Sequence, residues 1–191
     1  MRKHAIIDVK NIYFSKISIN EDNVLTYGQP NLLYESEQID LSVTTSTLKK
    51  HTTGGIDIIN DFEGGEATIK TYGIDNATLA EIEGHEIDSN GVVIEKSDDE
   101  PPHVAIGFQA IKRNKASRFV WLLYCKKKYN SESYVKKTEK TDPVSSTLTF
   151  DVSERIDKQW KNVIDSDDTN APEDLETKWF KNVYDGTAWK E

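Results

Sequence analysis

Four oxygen-bearing residues near the end of the chain have the spacing of calcium ligands. Asp165, Asp167, Thr169 and Glu176 occupy the first, third, fifth and last ligand positions of a calcium-binding loop. The position that needs glycine for the sharp turn of such a loop is Asn170. We therefore expect a solvated acidic turn that leads into a helix, and no calcium site.

The four histidines and the single cysteine form no catalytic pattern. His4, His51, His85 and His103 are far apart and stand beside no glycine-framed serine, no HExxH helix and no phosphate-binding loop. We predict that each is a surface or turn histidine. Cys125 ends an apolar strand, so a buried and unreactive thiol is expected despite the three lysines after it. These residues predict a protein that is not an enzyme and has no metal or cofactor.

Charge is unevenly distributed along the chain. Between Lys112 and Lys140 ten basic residues accompany two acidic ones, a local charge of +8 in a chain whose total is −9. Three interpretations are open: a nucleic-acid-binding surface, a basic surface that meets an acidic surface of another copy, or a solvated basic hairpin. The acidic remainder of the chain disfavours the first, because it repels phosphate.

Length and hydropathy predict one soluble domain over residues 1–191. A chain of 191 residues can bury a sizeable core without disulfides. The start of the chain lacks the sustained apolar run of a secretory signal, and no later run approaches the roughly 20 residues that span a bilayer. We expect a protein made and kept in a reducing compartment, with no membrane partner.

Most of the chain alternates between apolar and polar residues with a period of two, which predicts β-strands. Leu148, Phe150, Val152 and Ile156 fall on one face of such a strand. The segments "HVAIGFQAI" and "RFVWLLYC" flank a polar turn and predict a hairpin. Residues 119–124 are apolar on both faces, so this strand is either central in the core or covered in part by a neighbouring subunit.

Two helices interrupt the strands. In "IDNATLAEIEG", Asp75 or Asn76 caps the first turn and Gly84 suits the exit. A C-terminal helix is predicted at about residues 171–185, capped by Asn170 and Glu173. Leu175, Trp179 and Val183 line one face of this helix. Together the elements predict a mainly β (α+β) fold: an antiparallel β-sandwich or open barrel with a flanking helix and a C-terminal helix.

The segment from Thr44 to Gly55 is predicted to be a long loop between two strands. It has few apolar residues and many threonines. Connections of this length inside a compact domain are usually functional or disordered.

The order of several segments resembles the major tail protein family of bacteriophages with long non-contractile tails. The resemblance runs from about Val9 to Tyr184, and its most specific parts are "PPHVAIGF", "RFVWLLY" and the ending "WFKNVY". This chain has Lys115 and Ala116 in the hairpin turn, where we would expect a glycine. It also has Cys125 and three lysines after the second strand, where the family usually has small residues.

The resemblance implies a tail tube subunit of the virion, made in the cytoplasm of the bacterial host. Such subunits form hexameric rings that stack into a hollow tube through which DNA passes without specific binding. The tape measure protein, the tail terminator and the distal tail proteins are the implied partners. Family members extend a long loop between early strands to touch the next ring, and the loop at about 44–55 is the candidate here, with Leu48, Lys49, Lys50 and His51 at its tip.

The charge asymmetry adds a hypothesis about stacking. Across the contact between rings, two basic runs would meet acidic residues of another copy: Lys126, Lys127 and Lys128, and the lysines from Lys136 to Lys140. The candidate acids are Asp98, Asp99 and Glu100, or the cluster Asp165, Asp167 and Asp168 with its neighbours. Two alternatives remain: another structural protein of the phage tail or connector, and a nucleic-acid-binding module that uses the basic hairpin 112–140.

Overall fold

The computed structural model describes residues 5–21, 24–33, 36–129 and 146–187. Within these residues the chain is mainly β, with eleven strands and two short helices. The elements in chain order are β1 (Ile6–Ile19), β2 (Leu25–Tyr27), β3 (Asn31–Leu32), β4 (Ser36–Thr52), β5 (Gly55–Thr71), α1 (Asn76–Glu83), β6 (Glu86–Ile87), β7 (Val93–Ile94), β8 (His103–Lys112), β9 (Ser117–Lys127), β10 (Ser146–Val152), β11 (Lys161–Asp165) and α2 (Leu175–Lys181).

Nine of these strands form one large antiparallel sheet. Its order is β2-β1-β8-β9-β10-β5-β4, with β3 paired to β1 and β11 paired to β9. The strands β6 and β7 form a separate small hairpin. The mainly β, antiparallel class with two helices is therefore confirmed.

The strand β9 is the centre of the fold, as one of the two sequence interpretations predicted. Val120 and Leu122 face a core shared with β1, β5, β8, β10 and α1. Phe119, Trp121 and Leu123 point to the opposite face, where α2 covers them. All five are buried by the chain itself. No neighbouring subunit is needed to cover this strand.

The indole of Trp121 attaches α2 to the sheet. It lies against β8 at Gly107, where an added Cβ would come within 2.6 Å of the ring. Its Nε1 donates a hydrogen bond to the carbonyl of Trp179 in α2, at 3.1 Å. A glycine on β8 therefore makes room for the ring that holds the C-terminal helix.

The two helices meet the predictions to different degrees. Asp75 caps α1 by accepting a hydrogen bond from the Thr78 amide at 2.9 Å, and Gly84 ends it with φ 79°, as predicted. The predicted C-terminal helix is too long, because α2 covers only Leu175–Lys181. Its N-cap residue is Asp174, without a side-chain cap, so the predicted capping by Asn170 and Glu173 is wrong.

The predicted apolar face nevertheless holds within α2 and just beyond its end. Leu175, Trp179 and Val183 are all buried against the sheet, although Val183 lies beyond the end of the helix. The face was predictable because burial depends on spacing of apolar residues. The helix ends were not, because a turn at Pro172 replaces the first predicted helical turn and an extended Asn182 ends the helix early.

The prediction of a long loop at about 44–55 is wrong. Residues up to Thr52 belong to β4, and Gly55 already belongs to β5, so only Thr53 and Gly54 form the turn. Threonines and polar residues can form a strand that has no buried face. Such a strand needs no alternation of apolar and polar residues, and this segment has none.

Candidate functional site

The outer halves of β4 and β5 form a two-stranded arm that projects from the large sheet. We define the arm as residues 45–62. Its pairs run without a register shift from Thr45 opposite Phe62 to Thr52 opposite Gly55. The neighbouring strand β10 pairs with β5 only from Gly65 onward. In the described residues, the two strands of the arm pair only with each other.

The arm exposes large apolar side chains. Leu48 is 60% exposed, Ile56 59% and Ile58 56%. Single apolar residues scattered over a protein surface are common. A group of them on a two-stranded hairpin is unusual, because the hairpin has no core that could bury them.

The pairing register divides the arm into two faces. Opposite residues of an antiparallel pair share a face, and Lys49 lies opposite Ile58 while His51 lies opposite Ile56. We call this set the isoleucine face. The other face carries the neighbouring pairs, which are Leu48 with Ile59 and Lys50 with Asp57. The four predicted contact residues 48–51 are therefore all on the arm, two on each face, and not at its turn.

The base of the arm is held by an aromatic stack and a backbone bulge. Phe62 stacks on Trp160, with ring centroids 4.5 Å apart. Next to it Gly64 has φ 143°, a conformation that side chains with a Cβ rarely adopt. At Gly65 an added Cβ would come within 2.6 Å of the Ser42 carbonyl oxygen. The two glycines thus let β5 change direction where it leaves the sheet.

The three consecutive lysines at the end of β9 have partners within the chain. Lys127 is 2% exposed, and its Nζ lies 2.9 Å from a Glu83 carboxylate oxygen. Lys128 contacts Glu66 and Asp151, each at 2.8 Å.

The third lysine is the least constrained. The Nζ of Lys126 lies 3.8 Å from Glu100, which is itself 87% exposed. The hypothesis that all three lysines meet acids of another copy is therefore wrong for Lys127, because its side chain is enclosed. Lys128 needs no acid of another copy to balance its charge, because Glu66 and Asp151 already do so.

Two acids of the cluster at the end of β11, Asp165 and Asp167, are likewise paired with cations of the same chain. Arg118 donates two hydrogen bonds to Asp165, at 2.7 and 2.9 Å. Lys112 lies 2.7 Å from Asp165 and 2.6 Å from Asp167. The hydrogen bonds from Arg118, together with those from Lys112, outweigh burial and lower the pKa of Asp165 to about 2.

These ion pairs change the interpretation of the acidic turn. Asp165 and Asp167 bind cationic side chains of the β8–β9 hairpin in place of a metal ion. Asp168 is exposed and accepts a long hydrogen bond, 3.3 Å, from the Asp165 amide. In the described ranges no group of three or more acidic, histidine or cysteine side chains is arranged to hold a metal.

One histidine is enclosed by acids, which the sequence interpretation missed. The side chain of His85 is 3% exposed. Its Nδ1 lies 2.7 Å from Asp99, and its Nε2 lies 3.2 Å from Glu83. Only a doubly protonated ring can donate to both carboxylates. Burial by itself would lower the pKa of His85, but the hydrogen bond to Asp99 and the charges of Glu83 and Glu95 raise it.

No local pattern marks His85 for this role. Asp99 lies fourteen residues further along the chain, and Glu83 is turned toward the histidine by the end of α1. Lys127 joins the same cluster through Glu83. His85 directly follows the turn that ends α1, as the turn part of the prediction allows, but a surface position is wrong because tertiary contacts enclose its ring.

The other predicted residues are placed as follows. Cys125 is buried, as expected, and burial raises the pKa of its thiol. His103 stacks on Tyr124, and burial followed by the charge of Lys126 lowers its pKa. His4 and residues 130–145 of the basic stretch lie outside the described residues.

An open groove with one apolar wall and one mostly charged wall lies beside the loop that follows β10. Its volume is about 650 Å³, and it is lined by Ile19, Val24 and Leu25 on one side. The loop 154–158 forms the other side. At its tip Ile156 is 94% exposed, so the prediction that Ile156 continues the buried face of β10 is wrong. The strand ends at Val152, and the chain turns outward.

Comparison with protein-family models and with curated proteins finds no match to this chain. In the part of the chain that the structure describes, no helix is long and apolar enough to cross a membrane. The function must therefore be argued from the arm, the groove and the charge distribution.

Proposed function

We propose that this chain is a structural subunit that assembles with copies of itself into a hollow tube, as the major tail protein of a long-tailed bacteriophage does. The observation that carries the proposal is the arm, residues 45–62, which leaves the sheet and exposes Leu48, Ile56 and Ile58. The proposal gives the chain no catalytic role.

An arm of this kind needs a partner for physical reasons. Isolated two-stranded hairpins are at best marginally stable in water, and neither edge of this one pairs with a further strand in the residues that the structure describes. Burying its apolar side chains against another subunit would provide the missing core. An arm that enters a different surface of the next subunit, without a reciprocal contact, makes a heterologous contact, and such contacts generate rings or filaments.

The rest of the fold supports a rigid building block. The inner core receives side chains from β1 and β8 as well as from the opposite end of the sheet, β4 and β5. A sheet that shares one core between its two ends suits the sandwich or open barrel of a tail tube protein. The arm would then reach the next ring, and hexameric rings would stack through it.

The charge of the chain supports passage of DNA rather than binding. The total charge is −9, and a wall with negative charge repels phosphate, which lets DNA slide. The cationic side chains Lys112, Arg118, Lys127 and Lys128 are engaged with carboxylates. In the described part of the basic hairpin, this leaves Arg113, Lys115 and the weakly paired Lys126 for the nucleic-acid-binding alternative.

Electron microscopy of the purified protein tests the proposal. Negative staining at increasing protein concentration should reveal long hollow tubes of constant diameter. A retention assay on duplex DNA at moderate salt should show almost no binding. Particles that remain monomeric at every concentration and salt condition, also beside the partner tail proteins, would refute the proposal.

A variant without the arm is the matched control. Replacing residues 46–61 by a short turn leaves the buried core intact, because these residues lie outside it. The variant should keep its near-ultraviolet circular dichroism and its cooperative unfolding but form no tubes. Tubes formed by a folded variant without the arm would show that the arm is not the assembling element.

A further inference from the structure

We infer that Asn90 is a site of deamidation and that Asp88 restrains this reaction in the folded protein. The site is the turn of the β6–β7 hairpin, between the paired residues Ile87 and Val93. The inference does not depend on the proposed self-assembly. It rests on the residue pair in the turn and on the hydrogen bonds that Asp88 forms there.

The turn contains the residue pair that deamidation requires. Asparagine is one of the thermolabile residues of proteins, and Asn90 is the only asparagine of this chain that is followed by glycine. Both residues are exposed, and an added Cβ at Gly91 would meet no atom within 4 Å. Because Gly91 has no Cβ, its backbone nitrogen can approach the preceding side chain with little steric hindrance.

The reaction has two steps and needs only water as a co-reactant. First, the backbone nitrogen of Gly91 loses its proton and forms a bond to Cγ of Asn90. The bond between Cγ and Nδ2 breaks, and the amide group leaves as ammonia with that proton. Second, water opens the resulting five-membered succinimide ring at either of its two carbonyl carbons. The products are an aspartate and an isoaspartate residue.

Asp88 binds both of the groups that must react. The amide of Gly91, which is the nucleophile, donates a hydrogen bond to the Asp88 carbonyl at 3.0 Å. The Nδ2 of Asn90, which is the leaving group, donates to one carboxylate oxygen of Asp88 at 3.2 Å. The other carboxylate oxygen accepts hydrogen bonds from the amides of Asn90 and Val92, both at 2.8 Å. Attack on Cγ therefore requires several of these bonds to break.

The negative charge of Asp88 acts in the same direction. The hydrogen bond from the Val92 amide, followed by those from Asn90, lowers the pKa of Asp88, so its carboxylate is ionised at neutral pH. A negative charge in the same turn disfavours the deprotonated, anionic form of the Gly91 amide. That form is the one that attacks Cγ, so the charge slows the first step.

Deamidation would disrupt the hairpin once it occurred. An aspartate in place of Asn90 would lose the Nδ2 donor and place a second negative charge beside Asp88. An isoaspartate would also add one carbon to the backbone, which is incompatible with the hydrogen bond from Gly91 to the Asp88 carbonyl. Along the chain the hairpin joins His85 to Asp99, so its opening would loosen the contact between these two side chains.

Peptide mapping by mass spectrometry tests the site and the restraint. The whole chain is incubated at mildly alkaline pH, once folded and once unfolded in urea, and the mass gain at Asn90 is followed over time. The unfolded chain should react about tenfold faster or more, because it lacks the hydrogen bonds of the turn. Equal rates would overturn the restraint. Absence of reaction at Asn90 in the unfolded chain, or a mass gain at this position that persists in Asn90→Gln, would overturn the site.

Two substitutions in β6 and the turn separate the role of Asp88 from the stability of the hairpin. Asp88→Ala removes the carboxylate and should accelerate deamidation of the folded protein about fivefold. Glu86→Ala removes another acid of the hairpin, together with its bond to Lys96 at 2.9 Å, and should leave the rate near that of the wild type. Equal acceleration by both would overturn the role of Asp88. In urea Asp88→Ala and the wild type should react at the same rate, and a faster variant there would also overturn it.

Discussion

Phe62 lies flat on Trp160, with ring centroids 4.5 Å apart and ring planes inclined by 10°. The first residue is the innermost of the arm on β5, and the second directly precedes β11. This contact joins the arm to the residue before β11, at a point where β5 no longer pairs with β10. The direction of the arm therefore depends on one aromatic stack and on the glycine pair beside it.

Phe62→Ala should loosen the arm at its base. Aromatic pairs of this kind stabilise proteins by about 0.5–1.5 kcal/mol beyond area burial, so the free energy of unfolding should fall by about 1 kcal/mol. Amide hydrogen exchange within residues 45–62 should become faster. Ile87→Ala, at an exposed site away from the arm, is the control. Unchanged exchange in the arm would show that the stack does not hold it.

Two adjacent lysines should differ strongly in their effect on stability. Lys127→Met removes one cation from an enclosed cluster and leaves Glu83 with His85 as its remaining cationic partner, which should cost about 3 kcal/mol. Lys126→Met removes a long contact at the surface and should change stability by less than about 0.5 kcal/mol. Urea unfolding of both variants measures the difference. Similar losses would mean that Lys127 is not enclosed.

The contribution of His85 to stability should decline as the pH rises. Its pKa in the folded protein is raised above the ordinary value of about 6.5. The stabilisation is therefore complete below pH about 6.5 and disappears as the pH rises through the folded pKa. Thermal unfolding at increasing pH above about 6.5 should show the wild type losing its advantage over His85→Gln. A constant difference would refute the doubly bonded imidazolium.

Asp165 should have the opposite pH dependence. Its pKa is about 2 in the folded protein, because Arg118 and Lys112 bind its carboxylate. The stabilisation is present above the unfolded pKa of about 3.9 and is lost as the pH falls toward 2. Asp165→Asn should lower the free energy of unfolding by about 2 kcal/mol at neutral pH and flatten the acid transition.

Asp98→Asn is the control for this substitution, because Asp98 is exposed and forms none of the ion pairs of the β8–β9 hairpin. It should leave both stability and the acid transition nearly unchanged. An acid transition that survives in Asp165→Asn would place the titrating group elsewhere.

Lys115→Gly should stabilise the turn between β8 and β9. Lys115 has φ 66°, in the left-handed region that favours glycine. Glycine relieves this backbone strain but loses more conformational entropy on folding than lysine does. The net effect should raise the free energy of unfolding by about 0.5 kcal/mol. Lys115→Ala keeps the Cβ and should give no gain. A loss of stability on Lys115→Gly would mean that the lysine side chain contributes to the turn.

Several features could be predicted from the sequence because they depend on neighbours along the chain. Asp75 and Gly84 mark the ends of α1, and alternation marks the two buried faces of β9 around Trp121. The spacing of Leu175, Trp179 and Val183 identified the buried face at the C-terminal helix, although α2 is shorter than predicted. Periodicity and capping are local, and local rules were sufficient for them.

The functional surfaces required the tertiary structure. Residues 44–55 have no apolar alternation, so only their pairing reveals an arm instead of a loop. From the sequence, Lys127 and Asp165 are candidates for ion pairs with another copy. In the fold Lys127 pairs with Glu83, and Asp165 pairs with Arg118. The sequence alone determined which residues are charged or apolar. The tertiary structure decided which of them are already satisfied within the chain and which remain exposed for a partner, because that depends on contacts between residues far apart in sequence.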